Sequence, residues 1–161
     1  MRCSTMRNQK VFGTMNRMHS KGQALVEMAI ILPLLMLLVM GIFEFGRAMY
    51  IKNTLTHAAR AGARAAVVTP NIIDATDATC GSSGNNANIY QTVCNNIYSG
   101  IDKNDVTIDV TRTDLNSSGT LDPGDMAEVK VELNNFRTKY RIIPFIPLPV
   151  ALSGTTAMRY E

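Results

Sequence analysis

The sequence predicts an α+β protein in which a long N-terminal transmembrane helix packs on a small antiparallel β-sheet beside a short second helix. Three observations predict it: an uncharged apolar run over residues 28–43, a proline-free stretch rich in helix formers over 44–66, and later segments in which apolar and polar residues alternate. We divide the chain into a basic leader (1–22), a long helix (23–67) and an α+β head (68–161).

Composition excludes several classes of protein. The chain has 161 residues, of which 46% are hydrophobic and 18% charged, so it is not disordered throughout. The net charge is +3, but residues 1–22 carry five basic and no acidic side chains. The remainder is therefore net negative, which argues against a nucleic-acid-binding body. Two histidines and three cysteines form no zinc pattern, and no clustered nucleophile, base or metal site indicates an enzyme.

Residues 24–43 are long enough to cross a membrane, because about twenty helical residues extend about 30 Å, the thickness of a bilayer core. Basic residues precede this span, so the positive-inside rule places the N-terminus in the cytoplasm and everything from residue 44 onward in the periplasm or outside the cell. One alternative is a secretory signal peptide cut near Ala48. Another is a buried soluble helix, for which the remaining chain is too small a core.

The junction between leader and span has a distinctive residue order. Gly22 ends the basic leader, Gln23 begins the apolar helix, and Glu27 is its fifth residue. This order resembles the prepilin peptidase site of type IV pilins. The resemblance implies a cut between Gly22 and Gln23, and a role for Glu27 in binding the freed amine of a neighbouring subunit during assembly. A carboxylate inside a span costs about 2.5–3.5 kcal/mol on insertion scales, although an interfacial glutamate can also snorkel to water.

The long helix is predicted to continue to residue 67 and to end before Pro70. His57, on this helix, has no ligand partner at metal spacing and is predicted to be a surface or boundary residue. A narrow face of mostly small side chains permits close packing, either within the chain or against a neighbouring subunit. This face consists of Ala48, Leu55, Ala59, Gly62 and Ala66.

The head is predicted to contain a loop, a short helix and three strands. Residues 70–88 are polar and indicate a loop, whereas 87–99 have helical spacing and end at Gly100. Residues 142–152 are apolar, but their three prolines exclude a central strand, so they cover the sheet or lie near the membrane surface. The strands are expected over 106–111, 129–134 and 155–160.

Cys80 and Cys94 both lie in the exported head, where disulfides persist. A bridge between them closes a loop of about 15 residues, which the chain-entropy model values at about 3 kcal/mol. It would tie the polar loop to the second helix, whereas Cys3 stays with the leader. The alternative is a pair of free cysteines.

Residues 114–125 match the ligand spacing of a twelve-residue calcium loop. Gly119 stands where such loops turn sharply. Flanking strands and Pro123 favour the alternative, a polar hairpin connection with two turns. The candidate oxygen ligands are Asp114, Asn116, Ser118, Thr120, Asp122 and Asp125.

Three blocks together extend the resemblance to one family. They are the junction over 22–27 with the span behind it, residues 43–47 leading into 58–65, and a C-terminal block made of 123–125 and 157–161. With these blocks the chain resembles TadE-like proteins, minor pilins or pseudopilins of the tight-adherence (Flp, type IVb) pilus system.

The resemblance implies a pilin-like fold and a single-pass protein of the bacterial inner membrane, with a cytoplasmic N-terminus and a periplasmic head. It also implies processing by prepilin peptidase and contacts with other pilin subunits and the pilus assembly platform. The protein would then either stay in the membrane or enter an extracellular pilus. The alternative is a membrane-anchored adhesive or ligand-binding module without a filament role.

Overall fold

A computed structural model describes most of the chain and divides it into two compact units, the first ending at Met40 and the second spanning Gly41–Glu161. For residues 17–21 it describes the backbone. The described residues are 17–69, 71–115, 117, 122–140, 142 and 149–161.

Helix α1 spans Arg17–Ala66. The helix thus begins upstream of the predicted range 23–67, because one glycine weakens a helix by about 1 kcal/mol but does not end it. Pro33 lies inside the helix without breaking it. The length and hydropathy of α1 suit a membrane span, and its most apolar window has no buried side chain. This helix supports single-pass anchoring of the chain.

The sheet has four antiparallel strands in the order β1-β2-β3-β4, so each strand pairs with its neighbours in sequence. Three of the four were predicted, and each is longer than expected. In the central register Val110 lies opposite Val129, and Val131 lies opposite Gly154. The strands are β1 (Ala75–Ala78), β2 (Val106–Thr113), β3 (Met126–Leu133) and β4 (Leu152–Arg159).

Strand β1 corrects the prediction of an uninterrupted loop over 70–88. Its sequence lacks large apolar residues, so no alternating pattern marks it. Side chains hold it on β2: the Asp77 N–H donates to Asp109 Oδ1 (2.8 Å), and the Arg112 N–H donates to Asp74 Oδ1 (2.6 Å). The pairing shifts register within the strand. Long-range polar contacts thus form an edge strand that local propensity does not indicate.

Helix α2 spans Ala87–Asn95 and ends earlier than the predicted Gly100. The Asn96 N–H bonds to the Val93 carbonyl and closes the last turn, while Ile97 beyond it is still buried in the core. The apolar residues keep helical spacing beyond the end of α2, because the turn that follows the helix also buries its apolar side chain in the core. The predicted helix was therefore too long.

The narrow face of α1 packs within the second unit, against both the sheet and α2. A Cβ on Gly62 would lie 2.5 Å from a Val93 methyl and 3.1 Å from a Val129 methyl. A Cβ on Gly154 of β4 would lie 2.5 Å from the Thr56 backbone nitrogen. Backbone-level contact at these two glycines explains why the face is built of small residues. The α+β fold class, with a long apolar helix, is confirmed.

Two short helical turns lie beside the sheet, Lys103–Asp105 as a 3₁₀ turn and Phe136–Tyr140 as a π-helical turn. The apolar segment 142–152 follows the second turn. Only Ile142 and residues 149–152 of it are described, so the predicted placement of the remainder lies outside the described residues.

Candidate functional site

The predicted processing junction lies on α1 with its side chains exposed. A Cβ on Gly22 would meet no atom within 4 Å, and Gln23 is exposed beside it. Glu27 follows Gln23 by four residues and therefore shares its helix face. Its carboxylate makes no hydrogen bond or ion pair with any described residue. An exposed carboxylate on an apolar helix is suited to bind a cationic group supplied by another molecule.

The apolar surface of the first unit is open along its length. Exposure is 72% for Leu25, 71% for Leu34 and 57% for Leu37. Exposed apolar side chains of this kind suit contact with lipid or with another apolar helix.

The buried face of α1 begins with an acidic residue, Glu44, which is only 2% exposed. Its Oε1 accepts a hydrogen bond from the Ile142 N–H at 3.0 Å, and its Oε2 has no partner among the described residues. No motif in the sequence had indicated a role for Glu44. The signal was available, because Glu44 precedes Ala48 by four residues and so extends the small-residue face by one turn.

An exposed polar cluster joins the two short turns. Lys139 Nζ contacts Asp102 Oδ2 (2.8 Å) and Asp105 Oδ2 (2.6 Å). The Tyr140 hydroxyl donates to Asp105 Oδ2 (2.9 Å) and accepts from the Asp102 N–H (2.9 Å). These bonds connect the 3₁₀ turn that leads into β2 with the segment that leads to Ile142.

Contacts within the cluster shift the pKa values of three side chains. The hydrogen bond from Lys139 chiefly, and then that from the Asn104 N–H, lowers the pKa of the Asp102 carboxyl. Hydrogen bonds to Asp102 and Asp105 raise the pKa of the Lys139 ammonium. Burial is the main cause that raises the pKa of the Tyr140 phenol. All three shifts favour the protonation states that keep the cluster bonded near neutral pH.

Cys80 and Cys94 form a disulfide, with Cα atoms 5.7 Å apart. The bond connects the turn after β1 to the buried side of α2. Asn86 supports the same region, because its side chain accepts from the Ile73 N–H (3.2 Å) and donates to the Ile73 carbonyl (2.7 Å). The disulfide and the Asn86 hydrogen bonds therefore hold in place the polar segment that was predicted to be a loop.

The candidate calcium loop is held from inside by Asp125, which is 1% exposed. Its Oδ1 accepts from the Leu115 N–H (2.9 Å) and its Oδ2 from the Asp122 N–H (2.8 Å). Asn116, Ser118 and Thr120 lie outside the described residues. Within the described part of the chain, no group of three acidic, histidine or cysteine side chains could hold a metal. Calcium binding stays a prediction, and Asp125 has a clear structural role in closing the loop.

The family described as TadE-like protein matches residues 22–64 of the chain. The match begins at Gly22, covers Glu27 and Glu44, and confirms the resemblance over this segment, while residues 65–161 lie outside it. No curated protein and no solved structure matches the chain significantly. The N-terminal segment is therefore similar to TadE-like proteins.

Proposed function

We propose that this chain is a minor pilin or pseudopilin of the tight-adherence pilus, with a structural rather than a catalytic role. The observation that carries the proposal is the family match beginning at Gly22, which contains the basic-leader junction, Glu27 and the apolar span in one segment. The N-terminus would lie in the cytoplasm and the head in the periplasm, where the Cys80–Cys94 disulfide is stable.

Exposure along α1 supports an assembly role. In the second unit the small-residue face is buried against the sheet and α2, so it is not available to neighbouring subunits. Contacts with other subunits through α1 would therefore use its outward face and the open apolar side chains before residue 41. Glu27 lies among those side chains, where a freed N-terminal amine of another subunit would neutralise its charge.

Processing is tested by intact mass and thiol count together. The chain has three cysteines, of which Cys80 and Cys94 are bonded. Removal of residues 1–22 takes Cys3 away, so the processed chain should bind no maleimide under denaturing, non-reducing conditions. We expect this form only in cells that contain the prepilin peptidase. Cells lacking the peptidase, or a Gly22→Leu variant, should yield the full-length chain with one reactive thiol. A full-length chain in every strain contradicts processing.

Assembly is tested at Glu27. Glu27→Gln keeps the shape of the side chain but removes its charge, so we expect loss of surface pili with unchanged amounts of membrane-inserted protein. Glu128→Gln, on an exposed position of β3, is the matched control and should assemble normally.

The second candidate function is a membrane-anchored adhesive or ligand-binding module. Exposed apolar residues of the second unit, such as Val150, favour it. This candidate predicts that Glu27→Gln leaves pili intact while deletion of the head abolishes attachment to surfaces.

A further inference from the structure

Exposed apolar side chains from three segments gather at one end of the second unit. We call the set the collar: Phe45, Met49, Tyr50, Tyr98 and Ile142, each at least 43% exposed. Phe45, Met49 and Tyr50 lie within two turns of α1. The Tyr98 ring meets the Tyr50 ring edge to face, with centroids 5.5 Å apart. Ile142 is held at the same turns through its N–H bond to Glu44. The tertiary structure thus collects apolar surface that the sequence scatters.

The position of the collar along the sequence points to a bilayer surface. A bilayer core takes about 20 helical residues, and the span predicted over 24–43 has this length. Residues 45–50 therefore follow directly after the outer boundary of the core. Tyrosine is enriched at membrane–water interfaces, where its ring is apolar and its hydroxyl reaches water. Arg47 between them can extend its guanidinium to the headgroups.

The backbone contact of Ile142 is consistent with lipid. A backbone N–H facing water needs no protein partner, whereas one that enters an apolar interface must be bonded internally. Glu44 supplies that acceptor from the buried side of α1. A carboxylate at this position therefore allows a loop to approach the membrane without an unsatisfied backbone donor.

From these observations we infer that the collar docks the second unit onto the surface of the phospholipid bilayer that α1 spans. The occupant of this apolar surface is lipid rather than a second copy of the chain. The inference rests on the membrane anchoring within the proposed function and is independent of the pilus role.

The chain contains no tryptophan, so a single introduced tryptophan reports its own surroundings. We would reconstitute full-length Tyr98→Trp and Ile142→Trp variants in phosphatidylethanolamine–phosphatidylglycerol vesicles brominated near the headgroup end of the acyl chains. Ile73→Trp is the matched control, because Ile73 is equally exposed but follows the end of α1 at Ala66, about 24 Å along the helix from Tyr50. Met36→Trp, inside the span, reports insertion in parallel vesicles that are brominated near the methyl ends of the acyl chains, because bromine quenches only at short range.

We expect most of the emission to be lost at positions 98 and 142, and none at 73. Quenching of the tryptophan emission at position 36 alone would overturn docking of the collar, while membrane anchoring would stand. No loss at position 36 would show that anchoring itself had failed, and docking with it. Equal loss at 73 and 98 would also overturn the proposal, because it would mean that the head lies on lipid without a defined face. Emission at 98 that depends on protein density, without lipid quenching, would assign the collar to a second copy instead.

Discussion

Single residues determine how α1 is joined to the rest of the second unit, and Glu44 is the clearest case. It occupies the one acidic position on the buried face of α1 among the described residues. Its bond to the Ile142 N–H joins residues separated by 98 positions in sequence. Without that bond both buried carboxylate oxygens of Glu44 would lack a partner among the described residues, so the bond gives this side chain a specific structural role.

We predict that Glu44→Leu destabilises the second unit by about 1–3 kcal/mol, because the Ile142 N–H loses its acceptor. Glu44→Gln retains an acceptor oxygen, so we expect it to lower the free energy of unfolding by less than Glu44→Leu does. Thermal unfolding of the full-length protein in detergent, followed by tyrosine near-ultraviolet circular dichroism, measures both. Equal effects of the two substitutions would show that charge, not the hydrogen bond, is the important property.

Gly154 is the second decisive residue, because β4 crosses the backbone of α1 there. A Cβ would lie 2.5 Å from the Thr56 nitrogen and 2.7 Å from the Leu55 carbonyl carbon. Backbone atoms cannot rotate away as a side chain can, so we expect Gly154→Ala to cost about 1–3 kcal/mol through overpacking. The control is Gly81→Ala, where a Cβ meets nothing within 4 Å. The same unfolding measurement applies, and a neutral Gly154→Ala would contradict this packing.

At the scale of elements, the two short turns are joined by charge rather than by apolar packing. Lys139 connects the π-helical turn to Asp105 of the 3₁₀ turn and to Asp102, which precedes that turn. The 3₁₀ turn leads into β2, and the π-helical turn is followed by Ile142. The ion pairs therefore help to place Ile142 relative to the sheet. Exposed ion pairs contribute little individually, and the Tyr140 hydrogen bonds supplement them here.

The tie between these turns should depend on pH in a defined direction. The pKa of Asp102 is lowered in the folded protein, so its contribution is present above about pH 4 and is lost as the pH falls through the folded pKa. The pKa of Lys139 is raised, so its contribution is present below about pH 10 and is lost as the pH rises through the folded pKa.

We therefore predict that Lys139→Gln lowers the thermal midpoint at pH 7, and that this difference from the unsubstituted chain disappears below about pH 4. Lys103→Gln, an exposed lysine of the neighbouring turn, is the control and should show no such dependence. A difference that persists unchanged at low pH would contradict the assignment of the effect to Asp102.

For the whole molecule, the proposed topology places leader and head on opposite sides of the inner membrane. Thr155 lies exposed in β4, so a Thr155→Cys variant offers a thiol in the head. In peptidase-lacking cells with a permeabilised outer membrane, we predict that a membrane-impermeant maleimide labels this variant. The unsubstituted chain, whose unpaired thiol is Cys3, should be labelled only after the inner membrane is opened. Labelling of the unsubstituted chain before that step would reverse the topology.

Local patterns in the sequence sufficed to predict the span, the long helix, the three longer strands and the cysteine pair. An unbroken apolar run, a period-2 alternation and a pair of nearby cysteines each carry their own physical signal. A family described as TadE-like protein then matched residues 22–64, the segment that contains the junction.

Only the tertiary structure determined β1, the early end of α2, and the roles of Glu44 and Asp125. Asp74 and Asp109 form β1 through bonds to a distant strand, and Asp125 closes its loop by accepting two backbone N–H groups. Strand β1 and the role of Glu44 depend on a carboxylate that bonds a backbone N–H far away in the sequence. The spacing of residues along the sequence does not predict these hydrogen bonds, because they form only when the hydrophobic core has brought the segments together.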